Sequence, residues 1–214
     1  MQIQIRAPRE PLNCYTHAIP ALMTIPAVAL LLLHADTHIE CTAATVYGLS
    51  AFILFSISAI YHSVPQTPQE IRFWQKCDHC CIYLMIAGSY TPTALLVLDG
   101  WTRWALFSIV WIVAIIGCIL KIKDRLQQTG LSLTIYLAMG MLILPFIPQL
   151  KDKLSVDAFA WIIIGGGFYV FGTIFYYKDK EINKYLHTHE VWHLFGVAGA
   201  AAHYVYNYKY LFVG

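Results

Sequence analysis

Seven apolar stretches, separated by short polar breaks, organise the chain: residues 15–34, 42–64, 78–98, 102–122, 131–148, 157–177 and 189–212. Each approaches or exceeds the roughly 20 apolar residues that carry a helix across a bilayer. The pattern predicts an all-α membrane protein, one seven-helix membrane domain over residues 1–214, with no room for a separate soluble domain. Prolines and small residues punctuate the stretches. Pro20 and Pro26 interrupt the first, which lacks a small-x-small cleavage site before Asp36 and so reads as a retained, kinked span rather than a secretory signal. Gly88-Ser89-Tyr90-Thr91-Pro92 predicts close packing and a kink in the third, and Gly165-Gly166-Gly167 predicts close approach in the sixth. Pro145 and Pro148 end or bend the fifth, and Pro65–Lys76 reads as a short polar loop.

Composition agrees with the pattern. Of 214 residues 58% are hydrophobic and only 12% charged, half the charge of an ordinary soluble domain. A net charge of +2, scattered through loops, is too small to imply a nucleic-acid partner; membrane lipids are the expected partners. The basic residues do orient the chain. With the N-terminus inside, Arg6, Arg9, Arg72, Lys76, Lys121, Lys123, Arg125, Lys178, Lys180 and Lys184 are cytoplasmic, ten against Arg103, Lys151, Lys153 and Lys209 outside. Cytoplasmic loops favour Lys and Arg, so the N-terminus is expected in the cytoplasm and the C-terminus outside.

Orientation gives the polar residues a common depth. Ser58 and His62, four apart near the end of the second span, share one helix face, as do His189 and His193 at the start of the seventh. Asp78 and His79 begin the third span, again on the cytoplasmic side. Ionisable groups inside membrane helices are costly and usually functional. Three imidazoles that converge and leave one position open make a catalytic zinc site, so His62, His189 and His193 are the expected Zn2+ ligands. Such a metal lowers the pKa of its bound water toward about 7. Asp78 and Ser58 are the expected catalytic partners, Asp78 as general acid or base and Ser58 as a hydrogen-bonding group.

Other polar residues read differently. Glu190 makes the last motif His-Glu-x-x-His, the zinc-metalloprotease pattern. It opens a membrane span, however, and points about 100° away from His189 on the helix. A first-turn acid is favoured there by the helix dipole alone, so a protease is not expected. His203 lies about 15 Å beyond His193 along the helix and cannot reach the same metal; it lines the bundle or packs within it. His17 lies near the inner end of the first span with no fixed facing. Cys77, Cys80 and Cys81 fall at the cytoplasmic end of the third span, a reducing compartment; Cys77-x-x-Cys80 has no second pair beside it, and buried thiols acting as small apolar residues are the expected reading.

Glu10-x-x-Asn13-x-x-Thr16-His17, Ser58-x-x-x-His62-Ser63, Asp78-His79-x-x-Ile82-Tyr83-Leu84-x-Ile86-Ala87-Gly88-Ser89-Tyr90-Thr91-Pro92 and His189-x-x-x-His193 occur in that order. Together they resemble the haemolysin III family, the bacterial branch of the progestin and adipoQ (adiponectin) receptor superfamily, over essentially the whole chain. The resemblance implies seven helices with the N-terminus inside, zinc on His62, His189 and His193, and Ser58 and Asp78 close to the metal-bound water. It places the protein in a bacterial inner membrane. Hydrolysis of a membrane lipid amide or ester, in the manner of a ceramidase, is the activity it suggests. The alternatives are a non-enzymatic membrane-homeostasis or sensing protein with structural zinc, and a pore-forming haemolysin.

Overall fold

Hydrogen bonding in the first turn decides where each helix starts. The computed structural model describes residues 8–64, 67–126, 129–178, 180–183 and 186–214; Arg6, Lys184 and Pro65, used above, lie outside them. Helix α1 (Pro11–Leu33) opens on a proline, whose missing N–H would have no helical partner in that position anyway. Helices α2 (His38–Ser63) and α3 (Pro68–Pro92) open on reciprocal Thr37/Glu40 and Thr67/Glu70 caps. They are followed by α4 (Gly100–Ile122), α5 (Thr129–Gly140), α6 (Ile147–Lys153), α7 (Val156–Lys178) and α8 (Thr188–Tyr206). A small antiparallel hairpin, β1 (Glu181–Asn183) with β2 (Leu186–His187), connects α7 to α8, and the hydropathy pattern gave no sign of it.

The protein is an all-α membrane protein apart from that hairpin. Six helices among the described residues are long and apolar enough to cross a membrane: α1, α2, α3 with its continuation to Val97, α4, the run Gly130–Lys153 and α7. The expected seventh, α8, is not one of the six, because His189, Glu190, His193 and His203 break its apolar run. Helix α3 starts at Pro68, not near residue 78, so Arg72 and Lys76 stand on helix rather than in a loop and Asp78 is well inside it. Hydropathy marks only the part of a helix that is apolar, and the polar first turns of α3 project beyond it. Proline effects also differ by site. α1 runs unbroken through Pro20 and Pro26, whereas the chain widens into a π-helical turn (Thr93–Val97) after Pro92 and tightens into a 3-10 segment (Met141–Phe146) around Pro145.

Consecutive helices pack side by side from α1 to α4, α7 packs on α8, and α8 returns to α1. The start of α1 therefore lies against the start of α8. One apolar core (Tyr83, Leu106, Val110, Met139, Leu150) fills the space between α3, α4, α5 and α6. A second (Leu31, Tyr47, Phe55, Met85, Leu95) joins α1, α2, α3 and α8. Leu22, Met23, Ile112, Ile116 and Phe171 stay exposed, an apolar exterior suited to lipid. Of the three consecutive glycines only Gly165 permits close approach: a Cβ there would sit 2.2 Å from the His203 ring, while Gly166 and Gly167 meet nothing within 4 Å.

Candidate metal centre

The site grows out of the contact between the start of α1 and the end of α2. Glu10 occupies the cap position of α1, yet its carboxylate does not cap the helix. Its backbone N–H donates to the His62 carbonyl (2.9 Å), and its carboxylate accepts from His62 Nδ1 at 2.5 Å. Burial works against the charge on Glu10, but the His62 hydrogen bond and the neighbouring Arg9 guanidinium outweigh it and hold the carboxyl down to about 2. A carboxylate only accepts, so the His62 proton belongs on Nδ1 and the lone pair on Nε2. His62 is 2% exposed, and among the described residues that buried Nε2 has no hydrogen-bond partner.

The other two imidazoles come from the first turns of α8. The ligand atoms of His62, His189 and His193 all lie within 4.8 Å of one another. His193, also buried, is fixed from α1 in two ways. Its ring stacks on His17 at 3.7 Å between centroids, with the planes 10° apart. Its Nδ1 lies 3.0 Å from the Thr16 hydroxyl, whose own proton faces the Asn13 carbonyl at 2.9 Å, so the imidazole N–H donates and the second nitrogen is freed. His189 is half-buried beside Tyr176 of α7, at 6.0 Å between ring centroids.

This donor set suits a metal ion. Two of its three imidazoles have their N–H side held by an acceptor, the outer arrangement that orients metal-ligating histidines. The buried, unpartnered nitrogen of His62 is otherwise a costly group to leave inside a protein. Three imidazole nitrogens are donors that zinc accepts, and a three-residue set is the kind found at open zinc sites. The group can therefore hold a metal ion.

Ser58 lies one turn before His62 on α2, almost fully buried, and lines one cavity with the carboxyl of buried Asp78 on α3. His62 is within electrostatic reach of the same carboxyl. The structure thus gathers all five residues singled out above. Glu190 is elsewhere occupied: its carboxylate accepts from the His187 N–H at 2.8 Å and closes the cap of α8. Glu10 and Thr16 stand in the first motif of the sequence without a role of their own there, and His17 without a facing.

A cavity of about 1370 Å³ extends from the histidines into the bundle, walled by α3, α5, α7 and α8. Met141, Leu144, Ile163 and Phe171 line it and are also exposed, so it opens sideways between the 3-10 segment and α7. Gly166, Gly167 and Gly196 keep its wall free of side chains. At the far end stand Thr93, His203 and Tyr206.

Comparison with known proteins agrees with this picture. The family described as Haemolysin-III related matches residues 5–204, and the chain belongs to that family. It is 38% identical to Hemolysin-3 of Bacillus cereus, over 88% of this chain and 85% of the relative. It is 34% identical to the Hemolysin-3 homolog of Bacillus subtilis, over 89% and 88%. Monocyte to macrophage differentiation factor of Homo sapiens is 32% identical, over 94% of this chain and 83% of its own length.

Proposed function

We propose that this member of the haemolysin-III related family is a zinc-dependent hydrolase of a membrane lipid amide or ester. In this reading residues 1–214 form one domain in a bacterial inner membrane, with α8 as a seventh span, the N-terminus in the cytoplasm and the C-terminus outside. The excess of Lys and Arg on the cytoplasmic side supports that orientation.

One observation carries the reading: three convergent imidazoles, with Ser58 and Asp78, line one end of a cavity that opens sideways onto the apolar surface. His62, His189 and His193 hold the zinc, with Glu10 and Thr16 fixing two of the rings. When bound, the ion supplies Lewis acidity that polarises a carbonyl and makes water acidic near neutral pH. Asp78 takes the proton of the attacking water and returns it to the leaving nitrogen or oxygen. Ser58 offers its hydroxyl as a hydrogen-bonding group to the water or to Asp78. The apolar walls take the acyl chain, and the sideways opening admits it without passage through water.

The test is full-length protein in lipid nanodiscs, assayed for bound zinc and for fatty acid released from a ceramide and from a glycerolipid. The expected result is one zinc per chain and release that disappears in Asp78→Asn while zinc stays. Release that survives both Asp78→Asn and His62→Ala overturns the hydrolase. The name of the Bacillus relatives supports a second reading, lysis; dye leakage from liposomes by zinc-free protein is the result that would favour it.

A further inference from the structure

The contact between α3 and α4 brings two thiols together. The Cys80 thiol donates to the Cys118 carbonyl oxygen at 3.8 Å, and the Cys118 thiol donates to the Cys80 carbonyl oxygen at 3.5 Å. Crossed contacts of this kind need two residues at one level of two packed helices, with side chains converging. A disulfide likewise needs two residues facing each other at close range, with Cα atoms within about 7 Å. All six cysteines are free thiols, and both members of this pair are half-buried, within reach of a small oxidant. Cys77 and Cys81 flank Cys80 on the same helix, but the hydrogen bond of the Cys80 thiol runs to Cys118 on the neighbouring one.

We propose that Cys80 and Cys118 are a reversible oxidation site, joined as a disulfide by a hydroperoxide. One thiolate attacks the peroxide, forming a sulfenic acid and releasing water. The second sulfur then attacks the sulfenic sulfur, and the hydroxyl leaves as a second water with the remaining thiol proton. Two thiols and one hydrogen peroxide become one disulfide and two waters, and a dithiol reductant reverses the change. The bond ties α3 to α4 two residues beyond Asp78. Where disulfides form in a reducing compartment they are usually transient and redox-sensing, the behaviour expected of a pair at this end of α3.

Full-length protein in nanodiscs is treated with hydrogen peroxide, denatured, alkylated and digested for mass spectrometry. Reactive thiols should fall from six by two per chain, with a linked Cys80–Cys118 peptide that dithiothreitol separates. Cys118→Ser and Cys80→Ser should each lose no further thiols under the same treatment. Six thiols surviving the peroxide, a Cys77–Cys80 link, a bond between chains, or sulfinic acid with no linked peptide would each overturn the proposal. Loss of two thiols in Cys118→Ser overturns it as well. None of these readouts depends on lipid hydrolysis.

Discussion

At one end of the cavity His62, His189 and His193 meet from two helices; at the other, His203 of α8 stands alone with Tyr206 and Thr93. Both ends hold buried imidazole and hydroxyl groups. At the far end the groups close on their neighbours: His203 Nε2 lies 3.4 Å from the Ile162 carbonyl, and Thr93 donates to the Tyr206 hydroxyl at 3.2 Å. At the histidine cluster the N–H sides of His62 and His193 face Glu10 and Thr16, and ligand atoms of all three rings lie within 4.8 Å of one another. A buried histidine in a membrane helix is thus not a metal ligand by virtue of burial. It is a candidate when acceptors hold its N–H and other imidazole nitrogens lie close by.

Substitutions at the two ends sharpen this contrast. His193→Ala should abolish metal retention and cut hydrolysis by more than about 100-fold, beyond the loss expected for an outer partner. His203→Ala should leave zinc at one per chain. Equal zinc loss in both, measured by metal analysis, would break the distinction between the ends. Asp78→Asn comes next: the metal stays and turnover falls by about 100- to 10,000-fold, the usual worth of a positioned acid or base.

Glu10→Gln and Thr16→Val should weaken zinc affinity by about 10- to 100-fold each, since they release the ring orientation without removing a ligand. Competition against a calibrated chelator reads this directly. Gly165→Ala should act at the far end alone, costing about 1–3 kcal/mol of stability through the clash of its Cβ with His203, with zinc content unchanged. Glu190→Gln has the smallest effect, about 0.5–1 kcal/mol from a weaker α8 cap, with hydrolysis retained. Loss of hydrolysis in that variant with zinc in place would return Glu190 to the chemistry.

Parts of this site are legible in the sequence for a local reason. Ser58 with His62, and His189 with His193, are four apart, so helix geometry alone puts each pair on one face. Hydropathy likewise marks the membrane helices, although it misses the polar start of α3 and counts α8 as the equal of the others. Glu10 and Thr16 are not legible in that way. Their partners lie 52 and 177 residues distant, and an acid at a helix start already has a sufficient local explanation in the helix dipole. The pairing of Cys80 with Cys118 is hidden for the same reason, because the visible spacing, Cys77-x-x-Cys80, is the local one.

The chain by itself determines what depends on partition and on neighbours within a few turns: apolar helices suited to lipid, their caps at Thr37, Thr67 and Glu190, and the faces on which the polar residues stand. Tertiary structure decides which of those faces meet. Only the return of α8 onto α1 brings His193 to Thr16 and His17, and only the docking of α1 on α2 turns Glu10 from a helix cap into the acceptor for His62. A lone pair is free or taken according to atoms from distant parts of the chain, and no local pattern carries that information.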